Sequence, residues 1–248
     1  MKLEDEIAKV RIGYLSPLAV IDNAAFEWYR LAPPGMMAVF ISVGVTEFSG
    51  KEMDRVFAPL DALLDQLMGR HVDLVLQAGT PLAVLMGVKA HDRMIAHMQA
   101  YTGKPATSTV LSVTRAARHL GMKKIALVNK WSDAMNRTLA DFYAREGIEV
   151  CGTVTREMPP SDFVRIPADD HIQMAYELGK KALRDNPDCD GIYLGGGTWI
   201  SEPVTRLLEE ETGKLVICNQ TAQMWDILGL LNMRRPMPGR NKLLREMK

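Results

Sequence analysis

A chain of 248 residues, 47% hydrophobic and 24% charged, has room for one large α/β domain or for two smaller lobes. Its 30 basic and 30 acidic side chains cancel, which argues against a nucleic-acid partner, and no apolar run reaches the about 18 residues of a membrane span. Three scattered cysteines, Cys151, Cys189 and Cys218, make no disulfide framework and fit a reducing cytoplasm; the charged start, Met1-Lys2-Leu3-Glu4-Asp5-Glu6, lacks the apolar core of a signal peptide.

Along the chain, short apolar runs alternate with amphipathic stretches. Residues 10–15 read as a strand, and 37–45, rich in Val, Ile and Phe, as a second. A helix over 49–68 opens with Ser49 and Glu52 in capping-box spacing, and its Met53, Val56, Phe57, Leu60, Leu63, Leu64 and Leu67 recur at three- and four-residue steps. A strand at 72–77, a helix at 82–101, a strand at 105–107 and a helix at 110–120 follow. The second half repeats the alternation: strand 124–128, a helix capped by Ser132 and running to about 146, strand 148–154, helix 170–186, strand 191–194, helix 202–211, strand 215–218 and helix 221–231. Such alternation predicts an α/β fold of parallel sheets covered by helices, split into lobes at 1–115 and 116–230. The irregular stretch 155–169, with Pro159, Pro160 and Pro167, is long enough to suggest a functional loop. Residues 231–248, with Arg234, Arg235, Arg240, Lys242, Arg245 and Lys248, read as a solvated basic tail.

A weak internal repeat joins the two halves. Asp73-Leu-Val-Leu-Gln-Ala-Gly79-Thr80 matches Asp190-Gly-Ile-Tyr-Leu-Gly-Gly196-Gly197-Thr198, and each is followed by a helix and a second shared phrase, Thr102-Gly103-Lys104 or Thr212-Gly213-Lys214. Two similar Rossmann-like lobes related by a pseudo-twofold would face their glycine turns across a cleft. Ligands of parallel sheets bind beyond the carboxyl ends of strands, where Gly79-Thr80 and Gly196-Gly197-Thr198 fall. Glycine lets backbone N–H groups approach an anion closely, and the helix N-termini beyond favour negative charge. Other chemistries lack their motifs. His91 and His97 lie six apart, and no HExxH or CxxC occurs, so a metal is not expected. Gly195-Gly196-Gly197 does not continue as GxGxxG because Ile200 stands in the spacing, and neither a Walker A phrase nor a GxSxG elbow is present.

From Ile12-Gly13 to Trp225-Asp226 the chain resembles the aspartate/glutamate racemase superfamily, in its arylmalonate decarboxylase and maleate isomerase branch. The phrases that carry the resemblance are Gly79-Thr80-Pro81 with Met86-Gly87, Thr114 to Lys124 (TRAARHLGMKK), Ala126 to Asn136 and Asp190 to Gly197. The resemblance implies a two-lobed, cofactor-independent enzyme that makes an enolate-like carbanion beside a carboxylate. It also implies that both catalytic cysteine positions are glycine here, Gly79 and Gly196, so the two-thiol racemase or isomerase route is not expected, and the single thiol that protonates the enediolate in the decarboxylase type is missing as well. Trp131 stands where the decarboxylase type has a carboxylate-binding tyrosine, and Pro81 where a serine donor is expected.

The expected site therefore comprises Lys130 and Thr80 as catalytic groups and Gly79, Pro81, Trp131, Gly196, Gly197, Thr198 and Asn219 as substrate-binding groups. Lys130, near the rim of strand 124–128, reads equally as a solvated surface lysine or, desolvated, as an acid, base or carboxylate holder. Cys218, Tyr14 and Tyr193 read as core, Phe163 as a wall of the pocket, and His171 as an exposed residue opening a helix. The expected activity is that of a decarboxylase-type lyase on a small carboxylic acid. The rivals are a hydrolase or other lyase using an activated water, and a non-catalytic carboxylate binder. Neither nucleic acid nor membrane is expected as a partner; a homo-oligomer is compatible with this class.

Overall fold

The structure, a computed structural model, describes residues 7–21, 23–163 and 165–248; the charged start at 1–6 lies outside the described residues. The first half runs β1 (Val10–Ser16), α1 (Asn23–Leu31), β2 (Met36–Ser42), α2 (Gly50–Phe57), α3 (Leu60–Met68), β3 (Leu74–Gln77), α4 (Thr80–Met86), α5 (Val88–Thr102), β4 (Ala106–Ser108) and α6 (Thr109–His119). The second runs β5 (Lys124–Asn129), α7 (Asp133–Arg145), β6 (Glu149–Thr155), α8 (Pro160–Phe163), α9 (Ala168–Asp185), β7 (Gly191–Leu194), α10 (Glu202–Thr212), β8 (Leu215–Cys218), α11 (Asn219–Leu230) and α12 (Lys242–Arg245).

These strands make two parallel four-stranded sheets of the same topology, β2-β1-β3-β4 and β6-β5-β7-β8. Strand β3 in one and β7 in the other are buried at every position, as expected of strands covered on both faces. The repeat read from the sequence falls on matching elements. Gly79 follows β3 and Gly196 follows β7; Gly103 and Gly213 end α5 and α10 in the left-handed conformation, at φ 64° and 69°. The two threonines before those glycines even make the same bonds. Thr102 Oγ1 donates to the Met98 carbonyl and accepts from Lys104 N; Thr212 Oγ1 donates to the Leu208 carbonyl and accepts from Lys214 N.

Several expected elements are drawn differently, each for a local reason. The helix over 49–68 is two, because Pro59 has no N–H to donate and its ring crowds the preceding turn. The helix over 82–101 starts earlier, at Thr80, and breaks at Gly87, which takes φ 75°. Helix α1 was not foreseen; only Glu27, Trp28 and Leu31 are buried along it. The stretch 155–169 contains the short helix α8, and His171 is buried rather than exposed. The basic C-terminal segment is not a solvated tail. Leu243, Leu244 and Met247 are buried in the core, Asn241 caps α12, and Arg240 pairs with the buried Glu202 at 2.9 Å. The arginines that made the segment look solvated hold it down, Arg234 lying 3.8 Å over the Trp225 ring.

The largest apolar cluster joins the halves, taking Ile12 and Leu74 from one sheet and Ile125 and Ile217 from the other, with Trp225 of α11 and Leu243. Two buried carboxylates tie across the same boundary. Asp226 of α11 accepts hydrogen bonds from Thr107 (2.7 Å), Ser112 (3.0 Å) and Arg115 (2.9 Å). Glu27 of α1 accepts from the backbone N–H groups of Ser201 (2.8 Å) and Glu202 (2.6 Å), at the start of α10. Burial pushes the Glu27 carboxyl up to about 8, against the two N–H bonds that favour its charge.

A carboxyl raised in this way stabilises the fold at low pH, and the contribution is lost as pH rises through its folded value. Glu27→Gln keeps the acceptor for α10 and removes the titration. Wild-type stability relative to this variant should therefore fall by about 3–5 kcal/mol between pH 5 and 9, read by urea unfolding. A constant difference across that range would show that Glu27 does not titrate in the folded chain.

Candidate active site

Both sheets have their topological switch point between the second and third strands of the order, β1 beside β3 and β5 beside β7. An open α/β sheet leaves a crevice at such a point. The two crevices meet in one cavity of about 60 Å³. Its wall includes Gly79 and Pro81 after β3, Trp131 after β5, Gly196, Gly197 and Thr198 after β7, and Asn219 at the start of α11. All seven residues expected to bind substrate therefore come together. The wall also takes Tyr14, Ser16 and Pro17 from the end of β1, Ile21 and Ala24 from the start of α1, and Phe48 and Phe163. Most of it is apolar.

The two glycines have different neighbours. Gly79 takes φ 89°, and a Cβ built on it would lie 2.6 Å from the Pro17 ring, so this turn closes only on glycine. Gly196 takes φ 134°, and the only heavy atoms within 4 Å of a Cβ built there are Lys130 Cε at 3.7 Å and Nζ at 3.9 Å. The amine thus occupies the direction in which a side chain at Gly196 would point. Gly195 makes room for the Trp131 ring, which a Cβ would meet at 2.8 Å.

Behind the wall lies a fixed polar relay. The Tyr193 hydroxyl donates to Asn219 Oδ1 at 2.6 Å. Its proton being spent there, the Thr80 hydroxyl at 2.8 Å is the donor to Tyr193. Asn219 Oδ1 also accepts from Gly196 N at 3.4 Å, which leaves Nδ2 on the side of Gly197, 3.8 Å from where its Cβ would be. Thr80 and Lys130, the two groups expected to be catalytic, are both buried just behind the wall; the Thr80 hydroxyl, through Tyr193, orients Asn219. Gly79 N–H is also committed, to Thr109 Oγ1 at 2.9 Å. Among the described residues, the Gly197 and Thr198 N–H groups make no hydrogen bond. The second glycine turn is thus the one with free donors. It is held from the other lobe, by Asn23 Nδ2 donating to the Thr198 carbonyl at 3.1 Å and by Glu27 at Ser201.

Lys130 is not the solvated surface lysine that was one reading of it. It is 1% exposed. Its Nζ donates to Thr198 Oγ1 at 2.7 Å and lies 4.5 Å from the Phe163 ring centre and 4.7 Å from that of Trp199. Among the described residues no carboxylate is within ion-pair distance. Burial therefore holds the ammonium well below the usual lysine range. The backbone around it is clamped: Asn129 Oδ1 accepts from Trp131 N at 3.0 Å, Asn136 and Thr155 donate to the Trp131 carbonyl, and Met158 N donates to the Lys130 carbonyl at 3.2 Å. The three cysteines are elsewhere. Cys218, nearest in sequence to Asn219, is fully buried, pushed up to about 12 by burial, and sits 3.5 Å from Thr221 Oγ1.

The model of the arylmalonate decarboxylase family matches residues 33–244. The chain belongs to this family. Arylmalonate decarboxylase of Bordetella bronchiseptica is 24% identical over 214 residues, covering 86% of this chain and 88% of that one. Maleate isomerase of Geobacillus stearothermophilus is 23% identical over 206 residues, covering 81% and 79%. Among solved structures, unliganded arylmalonate decarboxylase matches with a TM-score of 0.82 at 23% identity, over 96% of this chain and all (100%) of that one. A variant of Nocardia farcinica maleate cis-trans isomerase with a covalently bound succinylcysteine intermediate matches with a TM-score of 0.81 at 20% identity, over 96% and 98%.

Within this arylmalonate decarboxylase family member, the sequence reading missed the contributions of β1 and α1. Tyr14 was read as core although it lines the cavity, and Pro17 was not singled out. The signal was available: in a sheet whose first strand is central, the residues after that strand share the switch point with those after the third. Among the described residues no three metal-ligating side chains converge, and no helix is long and apolar enough to cross a membrane.

Two outcomes follow from this geometry. Thr80→Ala breaks the relay that orients Asn219, so calorimetric binding of phenylacetate should weaken about tenfold, whereas Cys218→Ser leaves it unchanged; equal effects would disconnect the relay from the cavity. Lys130→Met removes a buried amine whose lowered proton affinity costs stability below the usual lysine range. The variant should melt higher, by about 2–4 °C per kcal/mol gained, with a larger gain at pH 6 than at pH 10. A lower melting temperature at pH 6 would mean that the amine is stabilised by a partner.

Proposed function

We propose that this protein is a decarboxylase-type lyase acting on a small carboxylic acid, with the retained carboxylate held in the Gly196–Thr198 turn. The observation that carries the reading is the pair of unbonded N–H groups of Gly197 and Thr198 beside the oriented Asn219 amide, in an otherwise mainly apolar cavity. Donors already in place, in a site poor in water, stabilise charge most where it develops during reaction. The departing carboxylate then lies against the apolar wall of Pro17, Phe48 and Phe163, where its charge is poorly solvated. Loss of CO2 sends the C–C electron pair into the retained carboxylate, giving an enediolate whose oxygens accept from Gly197, Thr198 and Asn219.

The carbanion carbon needs a proton, and Lys130 lies where it can supply one. Burial lowers the proton affinity of its amine. A carboxylate bound in the turn raises that affinity again, and the protonated fraction of the amine is the one that delivers the proton. Relatives named maleate isomerase raise an isomerase as the other outcome. In the Nocardia farcinica protein the intermediate is on a cysteine, and no cysteine of this chain lines the cavity, so an isomerase here would need a route other than that covalent one.

Incubation with 2-methyl-2-phenylmalonate should release CO2 and the monoacid, with one solvent deuterium at the α carbon in D2O. Lys130→Met should lower kcat about 100-fold or more, with KM changed less. Tight binding of the malonate without CO2 release would make the protein a carboxylate binder and overturn the proposal.

A further inference from the structure

We infer that Lys130 is also a carbonyl nucleophile, and that the acids suited to this site are 2-oxo acids with a second carboxylate on the carbon next to the ketone. The inference rests on the decarboxylase reading and names its substrate class. Three features carry it. First, among the described residues the buried amine has no carboxylate partner and bonds the Thr198 hydroxyl, as a nucleophilic lysine requires and a structural ion pair does not. Second, Gly196, which lines the cavity, has no side chain, and a Cβ built there would lie 3.7 Å from Lys130 Cε and 3.9 Å from Nζ, so the amine sits directly behind that part of the wall. Third, Thr198 joins both functions: its hydroxyl is 2.7 Å from Nζ, and its unbonded N–H belongs to the carboxylate turn. A carboxylate in that turn therefore presents the carbon adjacent to it, the ketone carbon of a 2-oxo acid, to Nζ. Disubstituted malonates have no carbonyl carbon there and must rely on the enediolate alone.

The balance closes without an outside reagent. The amine in its neutral form attacks the ketone carbon, and with one proton taken up from solvent, water leaves to give a protonated imine. The bond to the second carboxylate breaks, its electron pair flows through the new carbon–carbon double bond to nitrogen, and CO2 departs. The resulting enamine takes a proton on carbon from water. Water then adds to the imine and releases the shortened 2-oxo acid and the free amine. The cationic imine lies between the faces of Phe163 and Trp199, at the distances that suit a cation over a ring. Burial lowers the amine's proton affinity, which favours the first step.

The test treats the full-length protein with pyruvate and borohydride, followed by peptide mass mapping, and in parallel measures CO2 release from oxaloacetate and from 2-methyl-2-phenylmalonate. The inference expects one carboxyethyl group on Lys130, its loss in Lys130→Arg, and oxaloacetate decarboxylation reduced to the uncatalysed rate in that variant. Lys130→Arg keeps a cation but cannot condense, and a melting curve checks that it is folded. Absence of label on Lys130 while the malonate is turned over would overturn the imine and leave the decarboxylase reading standing. Label spread over surface lysines, or unchanged in Lys130→Arg, would also overturn it. No label and no turnover of either acid would remove both.

Discussion

An amine buried among aromatic rings, with no counter-charge among the described residues, is expensive, and the cleft is arranged so that it is nonetheless in place. Lys130 follows β5 directly, its carbonyl is tied by Met158, and its neighbour Trp131 is clamped through Asn129 and Asn136. The side chain is left with one direction, into the space that a side chain at Gly196 would fill. The matched lobe resolves the same packing problem differently. There Pro17, which follows β1, fills the space beside Gly79. One fold element, the residue after the central strand, thus carries the amine in one lobe and an inert ring in the other. The cavity is accordingly asymmetric, polar and cationic-capable on the Gly196 side and apolar on the Gly79 side.

That asymmetry is preserved by bonds that cross between lobes. Asn23 and Glu27 on α1 hold the carbonyl of Thr198 and the start of α10, and Thr80 after β3 reaches Tyr193 in β7. The turn with free N–H groups is therefore positioned by the lobe opposite to the one that builds it. Such a turn keeps its donors unpaired because the bonds that fix it use its carbonyl and the residues beyond, not the N–H groups of Gly197 and Thr198. Orphaned donors of this kind are costly in a folded chain unless water or a ligand serves them.

Much of this was legible in the sequence because it lies in the backbone pattern. The repeat around Gly79 and Gly196 reports equivalent strand ends, and the TGK phrases report equivalent helix ends with identical threonine bonds. The roles of individual side chains were harder to read. Thr80 was read as facing the ligand, since a hydroxyl beside a glycine turn is a natural donor; Tyr193, read as core, claims that hydroxyl from a strand 113 residues away. Arginines in the last segment looked solvated because a sequence does not reveal that Glu202 and Trp225 await them. Lys130 had two opposite readings, and its surroundings come from Phe163, Thr198 and Trp199, all distant in the chain.

The free N–H groups and the neutral lysine are complementary parts of one electrostatic arrangement. N–H dipoles attract an anion without themselves titrating, and they do so at any pH at which the fold persists. The lysine directly behind the cavity wall titrates, and burial lowers its proton affinity. Once an anion sits in the turn the two effects couple: the dipoles fix where the charge is, and that charge raises the proton affinity of the amine. The same residue can then be a nucleophile toward a carbonyl before protonation and an acid toward a carbanion after it. Which behaviour prevails is set by the ligand, because only an acid with a ketone beside the held carboxylate offers the neutral amine something to attack.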